Sequence, residues 1–176
     1  LKRFIDHEPT TAKEILAKDI FMFSFLTRGM NIADISTLKL SHIVGNTLTY
    51  TRAKTGKVFN ISINDDIFEI IERNKGEVFI FPVLNPKHKN TKYSIRLFTK
   101  NVNANLNRIA KSLKIAKITT YYARHTFAQL SLESGISKDL ISKSLGHNDN
   151  STVDIYLRDY SDKKLNSISS NIISSL

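Results

Sequence analysis

The sequence predicts an α+β domain that is mainly α-helical and carries a small three-stranded antiparallel sheet. Apolar residues recur at helical spacing through most of the chain, as at Leu106, Ile109 and Leu113. Residues 40–63 differ, because β-branched and aromatic residues there are interrupted by two Gly-containing turns. The chain has no internal repeat or low-complexity linker, so we expect a single domain over residues 1–176.

The first predicted elements are helical. Thr10 and Thr11 cap a first helix that runs to about Asp19, and Glu14 lies in its first turn. The Phe-rich stretch 20–28 predicts a second, buried helix. After Gly29, helical spacing continues at Ile32, Ile35 and Leu38.

The predicted sheet has three strands and two turns. Residues 40–44 and 47–53 flank the turn at Gly45-Asn46, and residues 58–63 follow the turn at Thr55-Gly56. The remaining elements are helices: one capped at Asn64, one over about 94–113, one capped at Thr119-Thr120 and ending at Gly135, one from Ser137 to Gly146, a short one opening at Ser151 or Thr152, and an amphipathic tail helix over about 165–176.

The charge and composition favour a nucleic-acid partner. Twenty-six Lys and Arg against sixteen Asp and Glu give a net charge of +10, which attracts phosphate backbones. The absence of cysteine excludes disulfides and thiolate nucleophiles. No apolar run of membrane-spanning length and no signal peptide occur, so we expect no membrane partner and a cytoplasmic, nucleoid-associated protein. The chain begins at Leu1, which suggests a fragment of a longer protein.

One spaced set of polar residues carries the chemistry. Arg124 is followed by Leu145-Gly146-His147, and Tyr156 comes nine residues after that histidine. An arginine fork and an imidazole can hold the oxygens of a phosphate, and a phenol can attack its phosphorus. Tyr156 is therefore the candidate nucleophile, and Tyr160, one helical turn further on, is its nearest rival.

These motifs resemble the catalytic half of the tyrosine recombinase (phage integrase) family, and Arg28-Gly29-Met30 is similar to Bacteroidetes-type integrases. The family pattern is a His-x-x-Arg box, a Leu-Gly-His box and a tyrosine about nine residues on. The resemblance extends over nearly the whole chain and implies the family's helical catalytic domain, without its N-terminal core-binding domain.

The resemblance implies a role for each site residue. Tyr156 would form a 3′-phosphotyrosyl link to DNA, while Arg124 and His147 hold the phosphate. Lys54, on the hairpin between the second and third strands, would protonate the departing 5′ oxygen, although Lys57 lies close by. The chemistry implies no cofactor and no metal.

Two positions depart from the family pattern. The first arginine of the family falls on Asn31, and Arg28 lies three residues earlier, one turn away if that segment is helical. We expect Arg28 to reach the same phosphate and Asp34 to support the site. Tyr121 replaces the histidine of His-x-x-Arg, and its phenol can donate a hydrogen bond but is a poor base. We expect Tyr122 and His125 to pack.

A basic segment is a candidate DNA-binding surface, or else a solvated face. It comprises Lys87, Lys89, Lys92, Arg96 and Lys100. The implied partners are double-stranded DNA and other protomers in a synaptic tetramer, with a monomer as the isolated domain and the tail helix docked in cis or in trans. Two other functions remain open: a catalytically impaired DNA-binding module, and DNA relaxation of the type IB topoisomerase kind.

Overall fold

The structure, a computed structural model, describes residues 1–81, 83–84 and 91–146. Its helices and strands follow one another in an order that places the sheet between two groups of helices. They are α1 (Lys2–Ile5), α2 (Ala12–Leu26), α3 (Ile32–Ile35), a 3₁₀ turn (Leu40–His42), β1 (Ile43–Val44), β2 (Thr47–Thr51), β3 (Val58–Ser62), α4 (Asp65–Asn74), α5 (Thr91–Ser112), α6 (Thr120–Glu133) and α7 (Lys138–Leu145). The predicted mainly helical fold with a small sheet is confirmed.

The sheet is antiparallel, with β2 in the middle. Leu48 pairs with Ile43 on one side and with Ile61 on the other, and Tyr50 pairs with Phe59. Leu48, Tyr50 and Ile61 are buried, whereas their neighbours Thr49 and Thr51 are exposed. This alternation follows from the two-residue period of a strand and turns one face of the sheet toward the core.

Helix α2 is the centre of the domain, because it packs against α3, α4, α5 and α6. Its side chains are accordingly apolar around most of the helix, and Ala17, Ile20 and Phe23 have no exposed surface. Phe23 meets Phe81 edge to face, with ring centroids 5.1 Å apart. A smaller apolar cluster between α6 and α7 contains Ala128, Leu132, Ile141 and Leu145.

Three details of the sequence prediction were wrong. The two helices expected over residues 10–28 form one, because Ile20 continues the buried face of α2. The strand expected from residue 40 begins only at Ile43, after the 3₁₀ turn. Asn103 on α5, rather than the Thr119 side chain, accepts the amide of Thr120 at the start of α6, at 2.9 Å.

The caps at Thr11, Asn64 and Ser137 are confirmed, since each side chain accepts an amide of its own helix. Within the described residues, no helix is long and apolar enough to cross a membrane.

Replacing Phe23 with Ala should lower the free energy of unfolding by about 3–5 kcal/mol, because the change leaves a cavity beside Phe81. Phe68→Ala is the matched control, since the Phe68 side chain is 56% exposed and its truncation should cost less than about 1 kcal/mol. Urea unfolding of both variants measures the difference. Equal losses would contradict the placement of Phe23 in the core.

Candidate active site

Arg124 is buried in the middle of the candidate site. It lies on α6 with only 5% of its surface exposed. Its Nη1 donates to the carbonyl of Gly29 at 2.8 Å, and its Nη2 donates to the carbonyl of Leu145 at 2.5 Å. The guanidinium is therefore fixed between the loop that follows α2 and the end of α7, two segments far apart in the sequence.

The loop after α2 is shaped to meet Arg124. Gly29 has φ of +72°, and a Cβ there would lie 2.8 Å from Cγ of Arg124. Only glycine allows so close an approach in this conformation. Two hydrogen bonds hold the loop: Gly29 N donates to Ser24 O at 2.8 Å, and Ser24 Oγ donates to Met30 O at 2.7 Å.

The end of α7 forms the opposite wall of the site. Gly146 closes the helix in the left-handed conformation, with φ of +69°. A Cβ on Gly146 would lie 2.5 Å from Cζ of Phe59 and 2.9 Å from Nη1 of Arg52. Phe59 in turn stacks on Tyr50, with ring centroids 5.3 Å apart. The sheet thus packs directly against the turn that leads into His147 in the sequence.

Asp34 joins α3 to the hairpin between β2 and β3. Its Oδ1 accepts the amide of Ala53 at 3.0 Å, and its side chain is buried. Burial raises the pKa of Asp34, while the Ala53 amide and the charges of Arg52 and Arg124 oppose that rise. The carboxylate therefore supports the site through a backbone contact one residue before Lys54.

Tyr50 is a buried tyrosine whose pKa is affected by several charged residues of the site. Burial, together with the charge of Asp34, raises its pKa to about 12, and the nearby Arg52, Arg124 and Arg28 act in the opposite direction. Its phenol consequently stays protonated at neutral pH. The charges of these three arginines favour the phenolate, but the effect of burial is larger.

Lys54 is exposed at the turn after β2. The backbone around it is well held, because Arg52 N donates to Lys57 O at 2.8 Å and Gly56 N donates to Arg52 O at 2.9 Å. Lys57 is exposed on the same hairpin. An exposed ammonium on a hydrogen-bonded hairpin is accessible to a partner molecule, and a lysine so placed can act as a general acid.

Arg28 does not lie one helical turn before Asn31, so that premise was wrong. Helix α2 ends at Leu26, and Arg28 is exposed with φ of +60°, a left-handed conformation that costs about 1–2 kcal/mol in a residue with a Cβ. Asn31 is exposed and serves as the N-cap of α3, where its Oδ1 accepts the amide of Ala33 at 3.0 Å. The position that holds arginine in the family pattern therefore caps a helix here.

Tyr121 lies on α6 near Arg124 and is 46% exposed. It borders a small cavity whose lining also includes Gly29, Asn31 and Arg124. Its ring packs edge to face against the His125 ring, with ring centroids 4.6 Å apart. Burial and the Arg124 charge lower the pKa of His125, which favours its neutral form. Tyr122 packs less than predicted, since it is 48% exposed.

The predicted basic surface is only partly described. Lys92, Arg96 and Lys100 are exposed on α5 at intervals of four residues, which places them on one face of that helix. Lys87 and Lys89 lie outside the described residues, as do His147 and Tyr156. The tail helix also lies outside them.

Arg52 is the site residue that the sequence analysis missed. Its Nη1 donates to the carbonyls of Leu145 and Gly146, both at 2.6 Å. The motif comparison did not single it out, and a lone arginine before a turn is usually a solvated surface residue. The one available signal was its place next to the hairpin turn, two residues before Lys54 in the sequence.

The described residues place a buried arginine at the centre of the candidate site. Arg124 donates to the carbonyls of Gly29 and Leu145, and both acceptors are uncharged backbone atoms. Arg52 brings a second guanidinium next to that of Arg124, because both donate to the carbonyl of Leu145. Among the residues described, no group of three histidine or acidic side chains could hold a metal ion.

Comparisons with known proteins show a family match and a shared fold. A model of the phage integrase family matches residues 1–163. No curated protein sequence matches the chain. The fold is similar to that of XerH site-specific recombinase bound to palindromic difH substrate, with a TM-score of 0.70 and 17% identity over 96% of this chain and 51% of that one.

Two further solved structures share the fold. A lambda integrase dimer bound to a COC′ core site superposes with a TM-score of 0.61 and 20% identity, over 91% of this chain and 47% of that one. The Tn1549 transposon integrase in complex with a circular intermediate DNA gives a TM-score of 0.57 and 14% identity, over 94% of this chain and 67% of that one. The chain spans about half the length of the first two proteins.

Gly146→Ala should destabilise the domain by more than the conformational cost alone. The left-handed backbone costs about 1–2 kcal/mol with a Cβ, and the overlap with Phe59 and Arg52 adds about 1–3 kcal/mol. Gly135→Ala is the matched control, because Gly135 also has a positive φ but has open space around it. Chemical unfolding of both variants gives the comparison. If the two substitutions lower the free energy of unfolding equally, Gly146 is not packed against the hairpin.

Proposed function

The chain belongs to the phage integrase family, and we propose that it is the catalytic domain of a site-specific DNA recombinase. The observation that carries the proposal is the buried guanidinium of Arg124, held between Gly29 and Leu145 at the start of the Leu-Gly-His motif. A cation fixed in this way is suited to a phosphate that gains charge in the transition state. The family supplies the reaction that this phosphate undergoes.

In the proposed reaction the phenolic oxygen of Tyr156 attacks a scissile phosphorus. A bond forms between that oxygen and phosphorus, and the bond from phosphorus to the 5′ oxygen breaks. The product is a 3′-phosphotyrosyl link with a free 5′ hydroxyl, and the phenolic proton passes to water. The 5′ hydroxyl of a partner strand then attacks the link and restores the phenol, so the bond energy is conserved without a nucleotide cofactor.

We assign the supporting roles as follows. Arg124 and His147 hold the non-bridging oxygens, and Lys54 gives its proton to the departing 5′ oxygen. Tyr121 helps position the phosphate, since its exposed phenol borders the cavity that Arg124 lines. Arg28 adds a second guanidinium. Its exposure and its electrostatic effect on Tyr50 support a place at the rim of the site.

The proposed substrate is double-stranded DNA, bound by a basic surface that includes Lys87, Lys89, Lys92, Arg96 and Lys100. The charge of +10 and the exposed row on α5 support this assignment. Lambda integrase and XerH were solved bound to DNA, and we extend that partner to this chain. We propose that protomers assemble on DNA as a synaptic tetramer, in the cytoplasm at the nucleoid.

A second candidate function is a DNA-binding module with impaired catalysis. The observation that favours it is Asn31, whose side chain caps α3 where the family has an arginine. A site without that cation would bind DNA but cleave it slowly. The following experiment separates the two functions.

Nicked DNA fragments from the genomic neighbourhood of the gene should trap a covalent adduct that survives denaturation. Peptide mapping should place the nucleotide on Tyr156, and Tyr156→Phe should abolish the adduct, because it removes the attacking oxygen. Tyr160→Phe is the matched control and should react normally. DNA binding without an adduct would favour the impaired module, and Asn31→Arg should then raise the yield. Relaxation of supercoiled plasmid without exchange between sites would instead indicate a topoisomerase-like activity.

Lys54→Ala should slow cleavage by about 10²–10⁴-fold, because the 5′ oxygen then leaves without a proton. Replacing that bridging oxygen by sulfur should restore the rate, since a thiolate with a pKa of about 8.5 leaves unprotonated. Lys57→Ala should cleave both substrates like the wild type. The reverse pattern, with sulfur rescuing only Lys57→Ala, would assign the acid to Lys57.

A further inference from the structure

We infer that Arg52 is a positioning residue that locks the turn at the end of α7 and, through it, the guanidinium of Arg124. The effect of this contact on catalysis rests on the recombinase function proposed above. The contacts that carry it lie entirely within the described residues. They connect the β2–β3 hairpin to Arg124 through a single backbone carbonyl.

The first step is the contact with α7. Nη1 of Arg52 donates to Leu145 O and to Gly146 O, each at 2.6 Å. The last carbonyls of a helix have no partners within it and carry the negative end of the helix dipole. A half-buried guanidinium at that point satisfies two of these carbonyls and fixes their direction.

The second step is the shared acceptor. Leu145 O also accepts Nη2 of Arg124, at 2.5 Å. Arg124 Nη1 also donates to the carbonyl of Gly29, at 2.8 Å. Movement of the α7 turn therefore rotates or frees one side of the Arg124 fork. The same turn is followed in the sequence by His147, the second residue that we propose as a phosphate ligand.

The third step is the rigidity of the hairpin. The backbone of Arg52 is held by Lys57 O on its N–H side, while its own carbonyl accepts the amides of Thr55 and Gly56. Gly146 makes room for the guanidinium, because a Cβ there would lie 2.9 Å from Nη1. Arginine suits this task better than lysine, since its planar fork loses less freedom for each bond that it forms.

The test begins without DNA. In the full chain labelled with ¹⁵N, Arg52→Ala should shift the Gly146 amide and the Arg124 Nε–H resonances and speed their exchange with water. Arg73→Ala is the matched control: it removes an arginine that pairs with Asp19 at 2.9 Å, so it perturbs stability without touching α7. Unchanged Gly146 and Arg124 resonances in Arg52→Ala would overturn the inference. Arg52→Lys keeps the charge and should give intermediate shifts of the same resonances. It provides the test if the alanine variant folds poorly.

The second arm measures chemistry at saturating nicked DNA. Arg52→Ala should lower the rate of adduct formation by about 10²-fold, the cost of a displacement near 1 Å, with little change in the dissociation constant for DNA. Arg73→Ala should react like the wild type at a temperature where it is folded. An unchanged rate in Arg52→Ala would exclude a catalytic consequence of the lock. If the wild type forms no adduct, the proposed function fails, while the resonances still decide whether Arg52 locks the turn.

Discussion

The site depends on one constraint: Arg124 is a buried arginine, with 5% of its surface exposed, and its N–H groups must find acceptors. Arg124 meets that constraint with backbone carbonyls, one from the loop after α2 and one from the end of α7. Neither of these carbonyls carries the full negative charge of a carboxylate. This arrangement requires the backbones of both segments to come very close to their neighbours. Glycines at positions 29 and 146 allow it, because a Cβ at either position would overlap with a neighbouring side chain.

In the described part of the chain, Arg52 and Arg124 lie close to one buried carboxylate, that of Asp34, and neither arginine forms an ion pair with it. Asp34 is the buried carboxylate nearest to Arg52 and Arg124, yet it accepts a backbone amide rather than forming an ion pair in the described residues. The α7 carbonyls supply the remaining negative potential through the helix dipole. A site arranged in this way keeps its net attraction for a phosphate.

The loop after α2 accounts for the departure from the family pattern. Two consecutive left-handed residues, Arg28 and Gly29, present the Gly29 carbonyl to Arg124. With the backbone in this conformation, Asn31 lies at the start of α3 and its side chain caps that helix. The Arg28 side chain is exposed to solvent. The loop therefore uses its backbone to anchor Arg124, through the carbonyl of Gly29. Backbone strain of this kind is often found at functional sites.

The sequence by itself determined the fold class, most helix caps and the family, because apolar periodicity, capping residues and spaced motifs are local signals. It also pointed to Arg124 and Lys54 as site residues, through the family pattern. It did not determine that residues 10–28 form one helix, that Asn103 caps α6, or that Arg52 joins the site. Each of these depends on contacts between segments far apart in the chain, such as the 93 residues between Arg52 and Leu145. Such contacts exist only once the core has packed, so only the tertiary structure decided them.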